Sequence, residues 1–245
     1  MILLVGNNKD DLLYFETRIN NKKEEIVFNK YRVVIGNISS QGVVLITDVY
    51  TNILSSALIG YLVEKYYILF VIKVGKCVTL SPSLHTGDVV ISKRIIASDV
   101  DVCDLQGTEL GQIPNFASSY EISNDLITMI SNSFAKVSRV NISPVTYISS
   151  NTHYTETKQL EPFIHDDKIF TVDIESSVFD SESYGIALIC QLYDIQFVSV
   201  NVVLNRVGDK FTTSNYIKVL KQYVNVGKSL VNAISEIGSN EVMRD

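Results

Sequence analysis

Short apolar runs recur along the chain, separated by polar or amphipathic stretches. ILLVG at Ile2, YRVVIGNI at Tyr31, GVVLITDV at Gly42, YILFVIKVG at Tyr67 and DVVISKRIIAS at Asp88 begin the series. VNISPVTYISS at Val140 and FVSVNVVLN at Phe197 continue it. Several are continuous rather than alternating, the pattern of strands covered on both faces. Helical patterns lie between them. TNILSSALIGYLVEKY places Ile53, Leu54, Ala57, Leu58, Tyr61 and Leu62 at a spacing of three to four, which makes one apolar face. SNDLITMISNSFAKV opens on a capping residue, Ser123. ESYGIALICQLYD from Glu182 is apolar enough to be buried, and TTSNYIKVLKQYVNVGKSLVNAISEIG from Thr212 is a long amphipathic helix. Strands alternating with helices predict an α/β fold around a mixed sheet. A two-stranded excursion near Lys30–Leu45 makes part of that sheet antiparallel. The chain has no internal repeat, low-complexity tract or linker, so residues 1–245 are expected to form a single domain.

Composition narrows the function classes. Of 245 residues, 46% are hydrophobic and 20% charged, a balance that argues for a packed globular chain and against disorder. The net charge of -6 and the absence of a basic stripe speak against nucleic acid as a partner. Cys77, Cys103 and Cys190 are an odd, widely spaced set, which fits buried thiols in a reducing compartment better than a disulfide framework. MILLVG is too short for a secretory leader and has no basic flank. The most apolar run, IGYLVEKYYILFVIKVG from Ile59, holds Glu64, Lys65 and Lys73, which a membrane span would tolerate poorly. A cytoplasmic protein without membrane contact is expected.

The least regular stretch, SSNTHYTETKQLEPFIHDDKIFTVDIESS from Ser149, carries His153 and His165. Neither an H-x-x-x-H nor a C-x-x-C spacing accompanies them, so no metal and no cofactor is expected.

Two segments carry more specific information. TLSPSLHTGDVVIS combines Leu80-Ser81-Pro82 with Gly87-Asp88. DVDVCDLQGTELGQIPNF then brings an aspartate-rich stretch, Asp99-Val100-Asp101-Val102, and Gly111-Gln112-Ile113-Pro114. In order and spacing these resemble the methylthioadenosine/adenosylhomocysteine nucleosidases of the nucleoside phosphorylase superfamily, with about one extra residue before the Gly-Gln pair. ESYGIALICQLYDIQFVSV matches the family's buried helix and following strand without gaps, and the likeness spans most of the chain. The Ser149–Val178 region carries an insertion of a few residues.

The resemblance implies a three-layer α/β sandwich with a central twisted mixed β-sheet, nucleoside phosphorylase-like. It implies a purine nucleoside ligand, hydrolysed at its N-glycosidic bond. It also implies a homodimer in which the Gly-Gln-x-Pro segment closes the neighbouring subunit's pocket, here Gln112, Ile113 and Pro114. A heterodimer with an active paralogue is the other assembly this segment suits.

Laid onto this chain, the family's functional positions are altered. The water-activating glutamate falls on Asp11, one methylene shorter; read without the resemblance, Asp11 is an acidic residue favoured at a helix start. A Ser-Gly-Ile-Gly turn falls on Asp48-Val49-Tyr50, where both glycines are gone. The Thr-Gly-Ser-Ala-Gly-Gly bend falls on Val74 to Thr79, where only Gly75 survives and Lys76 stands where a small hydroxyl residue would face the ribose. β-Branched Val78 and Thr79 resist positive φ, so the backbone here is expected to take another path.

The sugar-gripping Glu-Met-Glu motif has two candidate locations. One is Asp173 and Glu175 in VDIES; the ungapped helix match favours FDSES, with Glu182 as the gripping residue and Ser181 in place of methionine. A helix-capping role is the plainer reading of Glu182. Asn205 takes the place of the aspartate that protonates the purine; an asparagine amide can donate a hydrogen bond but delivers no proton. Asp209, four residues on, reaches that position only through a register slip. The expectation is a divergent nucleosidase-like protein with impaired or lost hydrolysis, acting through a ligand or a partner. The alternative is an active purine nucleosidase with a rearranged site, in which Lys76 contacts an anionic substituent.

Overall fold

The computed structural model describes residues 1–160 and 176–239. Its strands are β1 (Ile2–Gly6), β2 (Asn20–Val27), β3 (Tyr31–Ile38), β4 (Gln41–Ile46), β5 (Phe70–Thr79), β6 (Val89–Ala97), β7 (Tyr120–Glu121), β8 (Ile142–Ser149), β9 (Ser177–Asp180) and β10 (Gln196–Arg206). The helices are α1 (Lys9–Glu16), α2 (Asn52–Tyr66), α3 (Cys103–Gln106), α4 (Asn124–Val137), α5 (Ser183–Leu192) and α6 (Thr213–Ser239), with a short 3-10 turn at Thr157–Leu160.

All the strands belong to one mixed sheet. β5 is its hub. It runs parallel to β1 on one side and to β10 on the other, and its last two residues pair antiparallel with β9. From β10 the pairing continues through β6 and β8 back to β9. Those five strands therefore close on themselves, while on the other side β1 pairs parallel with β4, and β3 and β2 follow antiparallel to an open edge. The antiparallel pair expected near residues 30–45 is β3 with β4.

Continuous apolar runs give strands buried along their whole length: every residue of β1 is buried, and seven consecutive residues of β10 are. Helices cover both faces. α6 packs on α1, α4 and β10; α2 packs on α5, which lies against β10, β6 and β8. The result is the expected three-layer sandwich. The Ser123 hydroxyl accepts the Leu126 N–H at 3.3 Å and starts α4. Gly185 lets α5 approach α2, because a Cβ there would lie 2.2 Å from the Asn52 carbonyl oxygen.

A smaller apolar cluster sits where β5, β6, β8 and β9 end. It contains Val78, Ile96, Ile148, Tyr154, Phe179 and Val207, with Leu160 and Leu80. Cys77 and Cys190 are buried and Cys103 is partly so; all three are free thiols. Among the described residues, no helix is long and apolar enough to cross a membrane, and no group of His, Cys, Asp and Glu could hold a metal ion.

Candidate functional site

Polar side chains enter this apolar frame around β5. At the start of α1, Asp11 is not an exposed helix-start residue; it is buried. Its Oδ2 accepts the N–H groups of Asn7 and Asn8, each at 2.9 Å. Its Oδ1 takes the Lys76 ammonium at 2.8 Å. The Tyr223 hydroxyl lies 3.5 Å from the same nitrogen. Burial, and then the Asp11 charge, push that phenol well above its ordinary range.

Lys76 therefore makes its ion pair with Asp11, inside the protein. The Tyr223 and Tyr216 rings flank its ammonium at 5.6 and 6.0 Å. The Tyr216 hydroxyl donates to Asp10 at 2.9 Å.

A second ionic group lies further down the same strand. Lys73 Nζ is 2.8 Å from Asp180 Oδ2 and 3.2 Å from Glu182 Oε2, and all three side chains are sealed from solvent, at 4% exposure or less. Burial alone would lower the lysine's pKa; the two carboxylates outweigh it and hold Lys73 above its ordinary value. Burial likewise opposes the charge on Asp180, but Lys73 and the Ser183 hydroxyl hold its pKa down. Asp180 also accepts the Ser183 N–H at 3.3 Å and the Asn201 amide at 3.4 Å. Glu182 makes no capping bond to α5. Its carboxylate turns inward to Lys73, and the Ser181 hydroxyl donates to Oε1 at 2.6 Å. Among the described residues, the side-chain Oδ1 of Asn201 and Nδ2 of Asn52 are buried without a hydrogen-bond partner.

Tyr50 is joined to the first group through Asn8, whose N–H Asp11 accepts. Burial raises its pKa, and the charges of Asp48, Asp11 and Glu182 add to the shift. The phenol is thus within electrostatic reach of both carboxylates singled out by resemblance. It stands at the rim, 44% exposed, with its hydroxyl donating to Asn8 Oδ1 at 2.8 Å. Gly75 has a packing reason to be glycine, since a Cβ would lie 2.4 Å from Asn7 Oδ1 and 3.1 Å from Lys73 Cε. β5 runs as regular strand through Thr79, with no residue from 74 to 79 at positive φ, so the glycine bend is absent.

The remaining candidates lie outside this group. Past an irregularity in β10, Asn205 donates its amide to the carbonyls of Arg206 (2.8 Å) and Asp209 (3.4 Å). Asp209 is exposed, and its N–H closes a turn onto Arg206 at 3.1 Å. Gln112 is used within its own loop: it accepts the Glu109 N–H at 3.0 Å and donates to the Phe116 carbonyl at 2.8 Å. Ile113 packs against the core and Pro114 is half-buried. Asp173, Glu175 and His165 lie outside the described residues; His153 is exposed.

Sequence reasoning missed Lys73, Asp180, Asn201 and the tyrosines of α6. One signal was available: Lys73 is a lone charge in the otherwise apolar run YILFVIKVG, and a lysine there needs a buried counter-charge.

Comparisons with known proteins fit this geometry. The family model of the phosphorylase superfamily matches residues 2–236. A 5'-methylthioadenosine/S-adenosylhomocysteine nucleosidase of Anoxybacillus flavithermus is 23% identical over 217 residues, covering 87% of this chain and 88% of that protein. The crystal structure of the Neisseria meningitidis nucleosidase of the same name, in complex with methylthio-immucillin-A, has a TM-score of 0.80 to this chain at 18% identity. That match covers 96% of this chain and 98% of the other. Futalosine hydrolase of Helicobacter pylori has a TM-score of 0.82 at 15% identity, covering 96% and 97%. At these identities the structural likeness speaks for the fold.

Proposed function

The chain belongs to the phosphorylase superfamily, and on that premise we propose a nucleosidase-like protein that binds a purine nucleoside with its N-glycosidic hydrolysis impaired or lost. It would work through that ligand or through a protein partner. The observation that carries this reading is the state of Asp11. A carboxylate that activates water needs a lone pair facing the water. Asp11 spends Oδ2 on two backbone N–H groups and Oδ1 on the Lys76 ammonium. Asn205 supports the same reading, because its amide is committed to backbone carbonyls and has no proton to transfer. Loss of a general acid or base typically costs ~10²–10⁴ in rate.

The test incubates purified protein with methylthioadenosine, adenosylhomocysteine and common nucleosides, following base release and the thermal shift. Stabilisation by a nucleoside without base release supports the proposal. One feature favours the active reading: Glu182 keeps a carboxylate at the position that the resemblance gives to the sugar-gripping residue. Base release at an ordinary enzymatic rate, abolished by E182Q, would replace impairment with activity. No release and no shift would leave only the protein-partner role.

For the assembly, a homodimer is the simpler proposal, with a heterodimer including an active paralogue as the other. The outer face of α2 supports a protein interface, since Ile53, Ala57 and Tyr61 are exposed there and the Phe28 ring packs tilted against Tyr61, 4.7 Å between centroids. Light scattering of the purified chain, compared with an Ile53→Glu variant, tests the homodimer; a monomeric parent chain would count against it. A cytoplasmic setting is proposed with it, supported by the three free thiols.

A further inference from the structure

We propose that Lys73 is an internal lock on Glu182: it occupies the carboxylate that resemblance assigns to the ribose hydroxyls, so a nucleoside binds here without its sugar diol being held. This rests on the nucleoside-binding reading above and deepens it by naming a part of the ligand that goes unread. Nucleosides with and without the ribose hydroxyls are then one ligand class for this protein. The lock is made at hydrogen-bond distance. Lys73 Nζ lies 3.2 Å from Glu182 Oε2 and 2.8 Å from Asp180 Oδ2. The Ser181 hydroxyl donates to the other Glu182 oxygen at 2.6 Å. A carboxylate that grips two neighbouring hydroxyls must present its oxygens to them as acceptors. Here each oxygen already has a donor, and the Glu182 side chain is 4% exposed.

None of the parts is placed to step aside. Lys73 sits inside β5, paired with Val5 of β1 on one side and Ser199 of β10 on the other. Asp180 ends β9, which is held between β5 and β8. The Glu182 main-chain carbonyl accepts the Ile186 N–H at 3.2 Å and lies 3.2 Å from the Ser55 hydroxyl of α2. The two carboxylates keep Lys73 above its ordinary pKa, so the ammonium stays charged around neutral pH. Turning Glu182 away to a ligand would leave that ammonium sealed from water with one carboxylate in place of two. Breaking up a buried ion group in this way is strongly unfavourable, and two sugar hydroxyls that also give up their water offset little of it.

The lock is separate from the hold on Asp11, which Lys76 makes from the opposite face of β5. It bears on the reaction in its own way. A sugar whose hydroxyls are not held is not oriented for attack, and lost orientation slows the step independently of any proton transfer.

The test measures two probes by calorimetry: methylthioadenosine, and the matching analogue that lacks both ribose hydroxyls. In the parent chain the two Kd values should agree within about twofold. K73N removes the ammonium and frees Glu182 Oε2; it should favour the hydroxyl-bearing probe by about tenfold or more, the scale of hydrogen bonds to a charged acceptor. If K73N fails to fold, K73N/D180N also removes the carboxylate left without its cation, and the same preference is expected. A parent chain that already prefers the diol by about tenfold overturns the lock and leaves nucleoside binding intact. A ratio that stays flat in the variant overturns it too, since Lys73 would then not be what keeps Glu182 from the sugar. If the parent binds neither probe, the nucleoside reading falls by itself. Binding of the hydroxyl-bearing probe by the variant alone would then still support the lock, and binding of neither by the variant would overturn it.

Discussion

Lys73 and Lys76 lie three residues apart on β5, and each holds a carboxylate contributed by another part of the chain. They nevertheless sit in different worlds. Odd spacing on a strand sends them to opposite faces. Lys73 and both its carboxylates are sealed, whereas Lys76 is partly exposed beside a tyrosine rim. The sealed group ties β5 to β9 and the start of α5. The open group ties β5 to α1 and lies next to α6. The difference separates a sealed strut from an accessible pair. A sealed charge carries its full desolvation penalty and depends on its partners to offset it, while a partly exposed one is helped by water.

Substitution breaks that contrast most directly. K73M removes the cation from two buried carboxylates and should cost about 3–5 kcal/mol, the range for a buried pair robbed of one partner. K76M leaves Asp11 with its two backbone N–H bonds and should cost less, about 1–3 kcal/mol. Denaturant midpoints of the two variants at neutral pH measure the gap. Equal losses would mean that the sealed and the accessible pair are the same kind of device.

Titration sharpens the contrast from another side. Asp180 has its pKa lowered in the folded chain, chiefly by Lys73 acting against burial. Its contribution is therefore present above the ordinary aspartate value of about 3.9 and lost as pH falls through the folded value. Lys73 is raised, so its contribution is complete below the ordinary lysine value of about 10.4 and lost only as pH rises through the folded one. Stability should be flat between those limits as far as this group is concerned, and should fall in acid. D180N should start lower at neutral pH and lose part of that acid dependence. An unchanged acid limb in D180N would show that Lys73 and Asp180 do not titrate as a unit.

Gly75 lies between the two lysines, and its substitution tests how tightly the strut is fitted. An alanine Cβ there would press on Asn7 Oδ1 and Lys73 Cε. G75A should cost about 1–3 kcal/mol, the usual price of overpacking a close-fitted site, and differential unfolding measures it. No loss would mean that the Asn7 side chain simply swings away.

The layers and most elements were legible in the pattern of apolar residues, because burial on both faces writes continuous runs and a helix face writes a 3.6 period. The helix expected from Thr51 is α2, and the one expected from Thr212 is α6. The candidate site was legible only in part. Resemblance brought up Asp11 and Lys76 separately, yet nothing in the sequence joins them, since 65 positions divide them. Lys73 and Asp180 are 107 positions apart. Such pairs are made by strand order, and strand order depends on closure of β5 with both β9 and β10. A local reading of apolar runs contains no signal for that closure. Tyr216 and Tyr223 were hidden for a different reason: on an amphipathic helix, aromatic residues read as core.

The smallest expected effect comes from that helix. The Tyr216 hydroxyl makes one hydrogen bond to Asp10 at the surface, and its pKa is pushed up to about 12 by burial and by that aspartate. Y216F removes the bond and leaves the ring beside Lys76. An exposed hydrogen bond of this kind contributes about 1 kcal/mol at most, so thermal unfolding should move by only a few degrees. Y216L removes the ring as well and exposes the Lys76 ammonium more fully to water. If the ring helps to hold the Lys76 ammonium, Y216L should cost about 0.5–1 kcal/mol more than Y216F. If both variants unfold alike, the ring has no part in holding Lys76, and the hold belongs to Asp11 and Tyr223.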